Sequence, residues 1–195
     1  ERSNLIHARL KQTASHHPRL LEDLGALPMI ARVNVGGCRI GVVHGDADSL
    51  AGWRFDVAAL DDQENQPWIV DSFKRANVDI FASTHTCLPA LRCYPIDTTH
   101  GLVINNGAAG MPNFSNLRFG VLTRIAIGPP IQEVLYGVVH QGVHVHALPV
   151  RYDHNEWHKR FLANWPQGSP AWLSYHQRIV QGPKYSLPDL DDVVQ

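Results

Sequence analysis

The chain has 195 residues, and its 17 lysines and arginines against 18 aspartates and glutamates give a formal charge of −1 with histidines neutral. This balance provides no basic surface, which argues against nucleic acid or an anionic membrane as the main partner. No run of about 18 apolar residues occurs, so no membrane span is predicted. A chain of this length buries enough surface to fold without a disulfide or a metal.

Two helices and a hairpin are predicted in the first 45 residues. One helix begins near Ser3, and a second carries Leu20, Leu21 and Leu24 before Gly25 ends it. Two β-rich runs, 29–35 and 38–43, are separated by two glycines, which is typical of a tight hairpin.

The central part of the chain is predicted to alternate between turns, strands and one helix. The segment 45–67 is polar and rich in turn residues, whereas 68–76 has helical spacing. A loop is expected over 86–101. Apolar runs predict strands at 78–82, 102–105, 120–127 and 134–150, the last broken into two near Gly142.

The last 45 residues differ in composition and predict a packed helical tail. Asp153 and Glu156 have the spacing of a capping box, and Ser169 followed by Pro170 predicts a second helix start. We therefore divide the chain into 1–150, the main domain, and an appendage over 151–195. His154 and His158 are expected to be solvated on the helix surface.

Three predicted strands each end in polar residues suited to metal or phosphate. One run leads into His44, another into Ser83-Thr84-His85-Thr86-Cys87, and a third into Asn105-Asn106-Gly107. In layered α/β folds, ligands gather at the carboxyl ends of strands because the sheet directs side chains there into one crevice. The sequence therefore predicts a binding site at this edge. Asp46 and Asp48 are interpreted as turn-forming residues outside that site.

These segments resemble the calcineurin-like metallophosphoesterases. In that family a strand ends in His-Gly, a later strand ends in Gly-His-Thr-His, and a third leads into Asn-Pro-Gly-Ser. The matching segments here are VVHGD with His44, DIFASTHTCLP with His85, and VINNGAAGMP with Asn105 and Gly107. The resemblance covers roughly 29–127. It implies an α+β fold, a four-layer α-β-β-α sandwich, of which this chain supplies the C-terminal half plus a helical tail.

The chain departs from the family pattern in two respects. Cys87 stands where the family has its last metal-binding histidine, and a thiolate suits zinc or iron better than magnesium. Nothing before His44 matches the family's first three motifs, which supply the bridging carboxylate and the catalytic histidine. We expect those residues upstream of Glu1, in an N-terminal half of the same protein.

The resemblance implies hydrolysis of a phosphate ester, mono- or diester, by two divalent transition metal ions such as Mn, Fe or Zn. His44 and His85 would be metal ligands, with Cys87 beside the other ion, and Asn105 and Gly107 would lie near the substrate. The phosphoester and the missing half are the implied partners. The alternative is a catalytically inactive module of the same fold that binds other proteins. Three cysteines without C-x-x-C spacing predict a cytoplasmic location.

A rival site would use the histidines near the predicted strand break. His140, His144 and His146 would share one face of a strand if the alternation continued through Gly142. Such a face could hold a single metal ion. A change of register at Gly142 would separate them.

Overall fold

The computed structural model describes residues 2–187. It begins with two helices, α1 (Arg2–Ser15) and α2 (Pro18–Gly25), followed by the hairpin of β1 (Ala31–Val35) and β2 (Cys38–Val42). Gly36 and Gly37 have φ values of 58° and 92°. A two-residue turn with both central residues at positive φ matches the twist of the flanking strands, so the predicted hairpin is confirmed.

The larger sheet has five strands in the order β1-β2-β3-β5-β4. Its further strands are β3 (Ile80–Ser83), β4 (Pro89–Ile96) and β5 (Thr99–Asn106). β2, β3 and β5 are parallel neighbours. Their carboxyl ends therefore meet at one edge of the sheet. Two helices, α3 (Val57–Asp61) and α4 (Gln66–Ala76), precede β3 in the chain.

The loop predicted over 86–101 is wrong, because most of that segment forms β4 and the start of β5. β4 lies at the edge of the sheet, where proline is tolerated because one side of the strand needs no ladder hydrogen bonds. Arg92 is buried and its guanidinium pairs with Asp61, Nε to Oδ1 at 2.6 Å. The strand was not predicted because Pro89, Pro95 and the buried Arg92 interrupt the apolar pattern by which strands are recognised in a sequence.

The smaller sheet is antiparallel, with β6 (Gly120–Ala126), β7 (Tyr136–His140) and β8 (Val143–Val150) in the order β6-β8-β7. The predicted break near Gly142 is confirmed as the turn between β7 and β8. One apolar core contains buried side chains from both sheets, including Ile80, Ile104 and Val145. A second core joins the five-stranded sheet to α3 and α4. The predicted mixed α+β sandwich is confirmed.

The tail contains the two predicted helices, α5 (His154–Asn164) and α6 (Pro170–Gln181). The Asp153 carboxylate accepts a hydrogen bond from Glu156 N, and Ser169 Oγ accepts one from Trp172 N. Both predicted helix starts are thus confirmed by their caps. Residues 188–195 of the predicted appendage lie outside the described part of the chain.

α6 is docked against the main domain close to the carboxyl ends of the parallel strands. Asn116 N donates to Gln181 O, and Tyr185 Oη donates to Pro89 O. The tail therefore lies beside the loop that follows β3. Within residues 2–187, no helix has both the length and the apolar character needed to cross a bilayer.

Candidate metal centre at the carboxyl ends of the parallel strands

His44 and His85 are brought together by the parallel pairing of β2 and β3. Each histidine lies two residues beyond the end of its strand, and Val42 is paired with Ala82. The pairing continues past the strands, because Thr84 N donates to His44 O at 3.2 Å. Two residues 41 positions apart in the sequence are thus held side by side.

The two imidazoles face each other through ring nitrogens. His44 Nε2 and His85 Nδ1 are 3.1 Å apart, and the ring centroids are separated by 4.9 Å. Nitrogens that share one ion at about 2.0–2.1 Å lie about 2.9–3.4 Å apart when the angle is between 90° and tetrahedral. The observed separation of 3.1 Å lies within this range, and it is also the separation of a hydrogen bond between the two rings.

The backbone of the loop carrying His85 adopts an unfavourable conformation. His85 and Cys87 have φ values of 33° and 63°, in the left-handed region that side chains other than glycine rarely adopt. Such residues cost of order 1–3 kcal/mol each and persist where the surroundings impose them. Here Ser83 Oγ donates to Gly45 O and Thr84 Oγ1 donates to Gly107 O, at 2.6 and 2.8 Å. The loop is thus fixed by its neighbours on both sides.

His85 is half-buried, and this affects its protonation. Burial is the main cause that lowers the pKa of His85, the nearby His44 lowers it further, and Asp46 opposes both. A lowered pKa keeps the imidazole neutral at neutral pH. Only the neutral ring has a lone pair to offer a metal.

Cys87 is half-buried in the same loop, and its thiol donates to the His85 carbonyl at 3.2 Å. The structure does not bring it into one ligand group with the two histidines. Within residues 2–187, no three or more His, Cys, Asp or Glu side chains are arranged to hold a metal. Cys87 as a ligand therefore stays a prediction.

Asp46 forms the turn after His44, which confirms the turn-forming role predicted for it. Its buried carboxylate accepts hydrogen bonds from the backbone N–H groups of Asp48, Ser49 and Arg54, at 3.0, 3.0 and 3.2 Å. Asp48 instead pairs with Arg75. Neither carboxylate is directed at the histidine pair.

Asn105 and Gly107 lie immediately behind the His85 loop. Asn105 is fully buried, and its amide donates to Phe55 O and Thr86 Oγ1 while its oxygen accepts from Gly107 N. Gly107 has φ of 70°, and a Cβ there would lie 2.3 Å from Asn113 Oδ1. Both residues therefore position the loops around the histidines.

Two further side chains border the site. Trp53, in the polar segment 45–67, is 61% exposed, and its ring meets the His85 ring edge-on with the centroids 5.5 Å apart. Arg178 of α6 donates from Nη2 to the Cys87 carbonyl. Burial lowers the pKa of Arg178, and it has no carboxylate partner within residues 2–187. Sequence reasoning missed Arg178, because only the docking of the tail brings it here.

The structure excludes the rival site in which His140, His144 and His146 share one face of a strand. His140 pairs with Val143 and Val138 pairs with Val145, so His140 lies on the buried face of the hairpin. His144 and His146 alternate with those valines and lie on the opposite face, where their rings stack at 5.6 Å. The two-residue turn at Gly142 sets this register.

The arrangement of the two sheets and their flanking helices is also found in solved structures, one of them a metallophosphoesterase. A hypothetical protein from Pyrococcus horikoshii OT3 is similar with 16% identity over 89% of this chain and 57% of that chain, at a TM-score of 0.54. A metallophosphoesterase from Sphaerobacter thermophilus is similar with 16% identity over 84% of this chain and 61% of that chain, at a TM-score of 0.51.

These likenesses confirm the family resemblance at the level of the fold. The chain spans about three fifths of the length of the two solved structures, 57% and 61%. No protein-family profile and no curated protein sequence matches the chain.

Proposed function

We propose that this chain is part of a metal-dependent phosphoesterase that hydrolyses a phosphate mono- or diester with a dinuclear centre. The observation that carries the proposal is the apposition of His44 and His85, with 3.1 Å between their ring nitrogens, at the carboxyl ends of parallel strands. The fold shared with a metallophosphoesterase supports it.

In this proposal His44 and His85 hold one divalent transition metal ion, of the Mn, Fe or Zn class, and Cys87 lies beside the second. Such ions, when bound, supply a nucleophile from water at neutral pH and neutralise charge on the phosphoryl oxygens. The remaining ligands and the catalytic histidine come from an N-terminal half upstream of Glu1. The location is cytoplasmic.

The chain's own residues orient the site and attract the substrate. The strained loop, held by Ser83 and Thr84, fixes His85 before any ligand arrives, so little reorganisation is needed. The Trp53 ring lies beside His85, with the ring centroids 5.5 Å apart, where it offers an apolar contact to a bound substrate. Arg178 has no carboxylate partner within residues 2–187, and its positive charge lies next to the Cys87 backbone, where it favours a phosphate anion.

The test uses the full-length protein supplied with Mn²⁺ or Zn²⁺ and assayed on bis(p-nitrophenyl) phosphate and p-nitrophenyl phosphate. We expect His85→Ala to lower kcat/KM by at least about 100-fold, since a lost ligand removes several kcal/mol of stabilisation. His144→Ala, on the outer face of the smaller sheet, is the matched control and should retain activity. Full activity of His85→Ala would contradict the proposal.

A second candidate is a catalytically inactive module that binds other proteins through the same fold. It is favoured by Cys87, whose thiol is engaged with the His85 carbonyl instead of facing the histidine pair. Two tightly bound metal ions per full-length molecule, with turnover that depends on them, would exclude this candidate.

A further inference from the structure

A hydrogen bond between two imidazoles joins the helices of the tail. His158 of α5 and His176 of α6 have their Nε2 atoms 3.1 Å apart, and their ring centroids are separated by 5.2 Å. Both residues are half-buried, and so is His154. The expectation that His154 and His158 are solvated is therefore wrong. α6 folds back onto the face of α5 that carries His158.

The existence of this hydrogen bond depends on how many protons the two rings carry. A neutral imidazole has one N–H and one lone pair, so one Nε2 can donate to the other while at most one ring is charged. When both rings are charged, both Nε2 atoms carry a proton and neither can accept. The same step places two positive charges on rings whose centroids are 5.2 Å apart. The second proton therefore replaces an attraction between the helices with a repulsion.

Neighbouring rings restrict how far the pair can move apart. Trp172 stacks on the His176 ring, with centroids 4.8 Å apart and the planes tilted by 21°. It holds that imidazole in the orientation that points Nε2 towards α5. A repulsion between the two histidines is therefore relieved by moving the helices, because rotation of the His176 ring would break its stacking.

A third histidine, His154, lies one helical turn away on the same side of α5. Its ring is nearly parallel to that of His158, at 16°, with centroids 6.3 Å apart, and it also borders Tyr152. Burial is the main cause that lowers the pKa of His154; Arg118 and His158 lower it further, and Asp153 opposes them. Because the folded state disfavours the charged ring, the stabilisation from neutral His154 is lost as the pH falls through the folded value.

The other charged groups around the tail helices do not offset a second positive charge on the pair. Arg178 lies two residues after His176 on α6. Arg9 of α1, which packs on α6, lies over the Trp165 ring at 4.3 Å. The charged side chains of α5 itself are exposed to solvent: Glu156, Lys159 and Arg160. Within residues 2–187, no Asp or Glu forms an ion pair with His158 or His176.

We propose that the His158 and His176 pair is an acid-sensitive switch: it holds α5 against α6 while at most one ring is charged, and the helices separate when both are charged. Histidine is the side chain that ordinarily changes its charge between about pH 5 and 8. Charging His154 adds a further positive charge one helical turn from His158. This inference concerns the tail alone and is independent of the proposed phosphoesterase activity.

The opening affects α5 and leaves α6 in place. α6 has its own contacts with the main domain, because Gln181 O accepts from Asn116 N at 2.8 Å and Arg178 donates to the Cys87 carbonyl. These contacts involve no histidine. Acid therefore frees α5 and uncovers the face of α6 that carries His176, in a local opening that precedes global unfolding.

The test measures amide hydrogen exchange of α5 between about pH 7 and about pH 4.5, corrected for the pH dependence of the chemical exchange step. We expect the protection of α5 to fall at least tenfold on acidification, while β2 and β3 keep theirs. His158→Gln and His176→Gln should each abolish this fall, because a glutamine amide both donates and accepts and so pairs with the remaining histidine in either protonation state. Loss of the Asp153 cap in acid is common to all variants. His144→Gln/His146→Gln, in the smaller sheet, is the matched control and should keep the full pH response.

Long-range ¹H–¹⁵N NMR spectra of the unsubstituted chain follow the protonation of each imidazole nitrogen and do not depend on the folding of a variant. We expect α5 to lose protection over the pH interval in which the second ring of the pair becomes charged. Protection of α5 that is independent of pH, an equal pH response in His158→Gln, or opening before the second ring is charged would each overturn the proposal.

Discussion

Several buried residues around the candidate site hold its loops in position and are not themselves ligands. Asn105 is the strongest case, because one buried amide connects three separate backbone segments through Phe55, Thr86 and Gly107. The sequence identified Asn105 from its place at a strand end. Its partners became visible only in the folded chain, since Phe55 is 50 residues away.

At this scale we predict that Asn105→Ala destabilises the protein by about 1–3 kcal/mol, because it leaves buried backbone groups without partners. The measurement is the free energy of unfolding in urea. Asn155→Ala, at an exposed position on α5, is the matched control and should change the free energy little. Equal stability of the two variants would contradict the role assigned to Asn105.

At the scale of elements, local patterns predicted most helices and most strands correctly. The interpretation of 45–67 as a turn-rich segment was wrong at α3 (Val57–Asp61), a helix of five residues that is too short to show a periodic pattern. The Gly36 and Gly37 turn and the caps at Asp153 and Ser169 act over a few residues, so the sequence is sufficient to place them. β4 was not predicted, because its buried Arg92 depends on Asp61, a partner that lies 31 positions earlier. A contact between residues so far apart in the sequence produces no repeating pattern of apolar residues from which a strand could be predicted.

The docking of α6 also belongs to this scale, and it depends on Gly182. Gly182 has φ of 73°, and a Cβ there would lie 2.1 Å from the Phe114 carbonyl oxygen. Gly168 has a similar φ of 83° with nothing within 4 Å of its Cβ position. Both glycines therefore have a positive φ that a side chain would strain, and they differ in crowding.

We predict that Gly168→Ala costs about 1–2 kcal/mol from backbone strain alone. Gly182→Ala should cost a further 1–3 kcal/mol or so, because the added methyl group displaces the helix from the Phe114 segment. Urea unfolding of both variants measures the difference. If the two substitutions have the same effect, the close approach of α6 is not what holds the tail.

At the scale of the whole molecule, an apolar cleft of about 410 Å³ opens between the two sheets. Val33 on β1, Val42 on β2 and Leu122 on β6 remain 48%, 41% and 39% exposed there. Contiguous apolar surface of this kind marks an interaction site in many proteins.

The pH dependence of stability is a further whole-molecule property, and the contact between Asp79 and Arg39 contributes to it. The Arg39 guanidinium donates to the Asp79 carboxylate at 2.6 and 3.0 Å, and Arg39 N donates to it as well. Hydrogen bonds from Arg39 are the main cause that lowers the pKa of Asp79, while burial opposes them. The contact joins β2 to the residue before β3.

Because the pKa of Asp79 is lower in the folded state, its stabilisation is present above the unfolded value of about 3.9. It is lost as the pH falls through the folded value. We predict that Asp79→Asn lowers the free energy of unfolding at neutral pH and makes its decline below about pH 4 shallower. Asp97→Asn, in an exposed pair with Lys74, is the control and should change the pH profile little.

The sequence by itself determined the strand endings at His44 and His85, the hairpin glycines and the helix caps. Each of these is encoded by neighbouring residues, so short-range physical rules suffice to predict it. The tertiary structure alone decided that His140 turns away from His144, that Arg178 reaches the Cys87 loop, and that His158 faces His176. These depend on strand register and on helix docking, which arise from packing between segments distant in the chain.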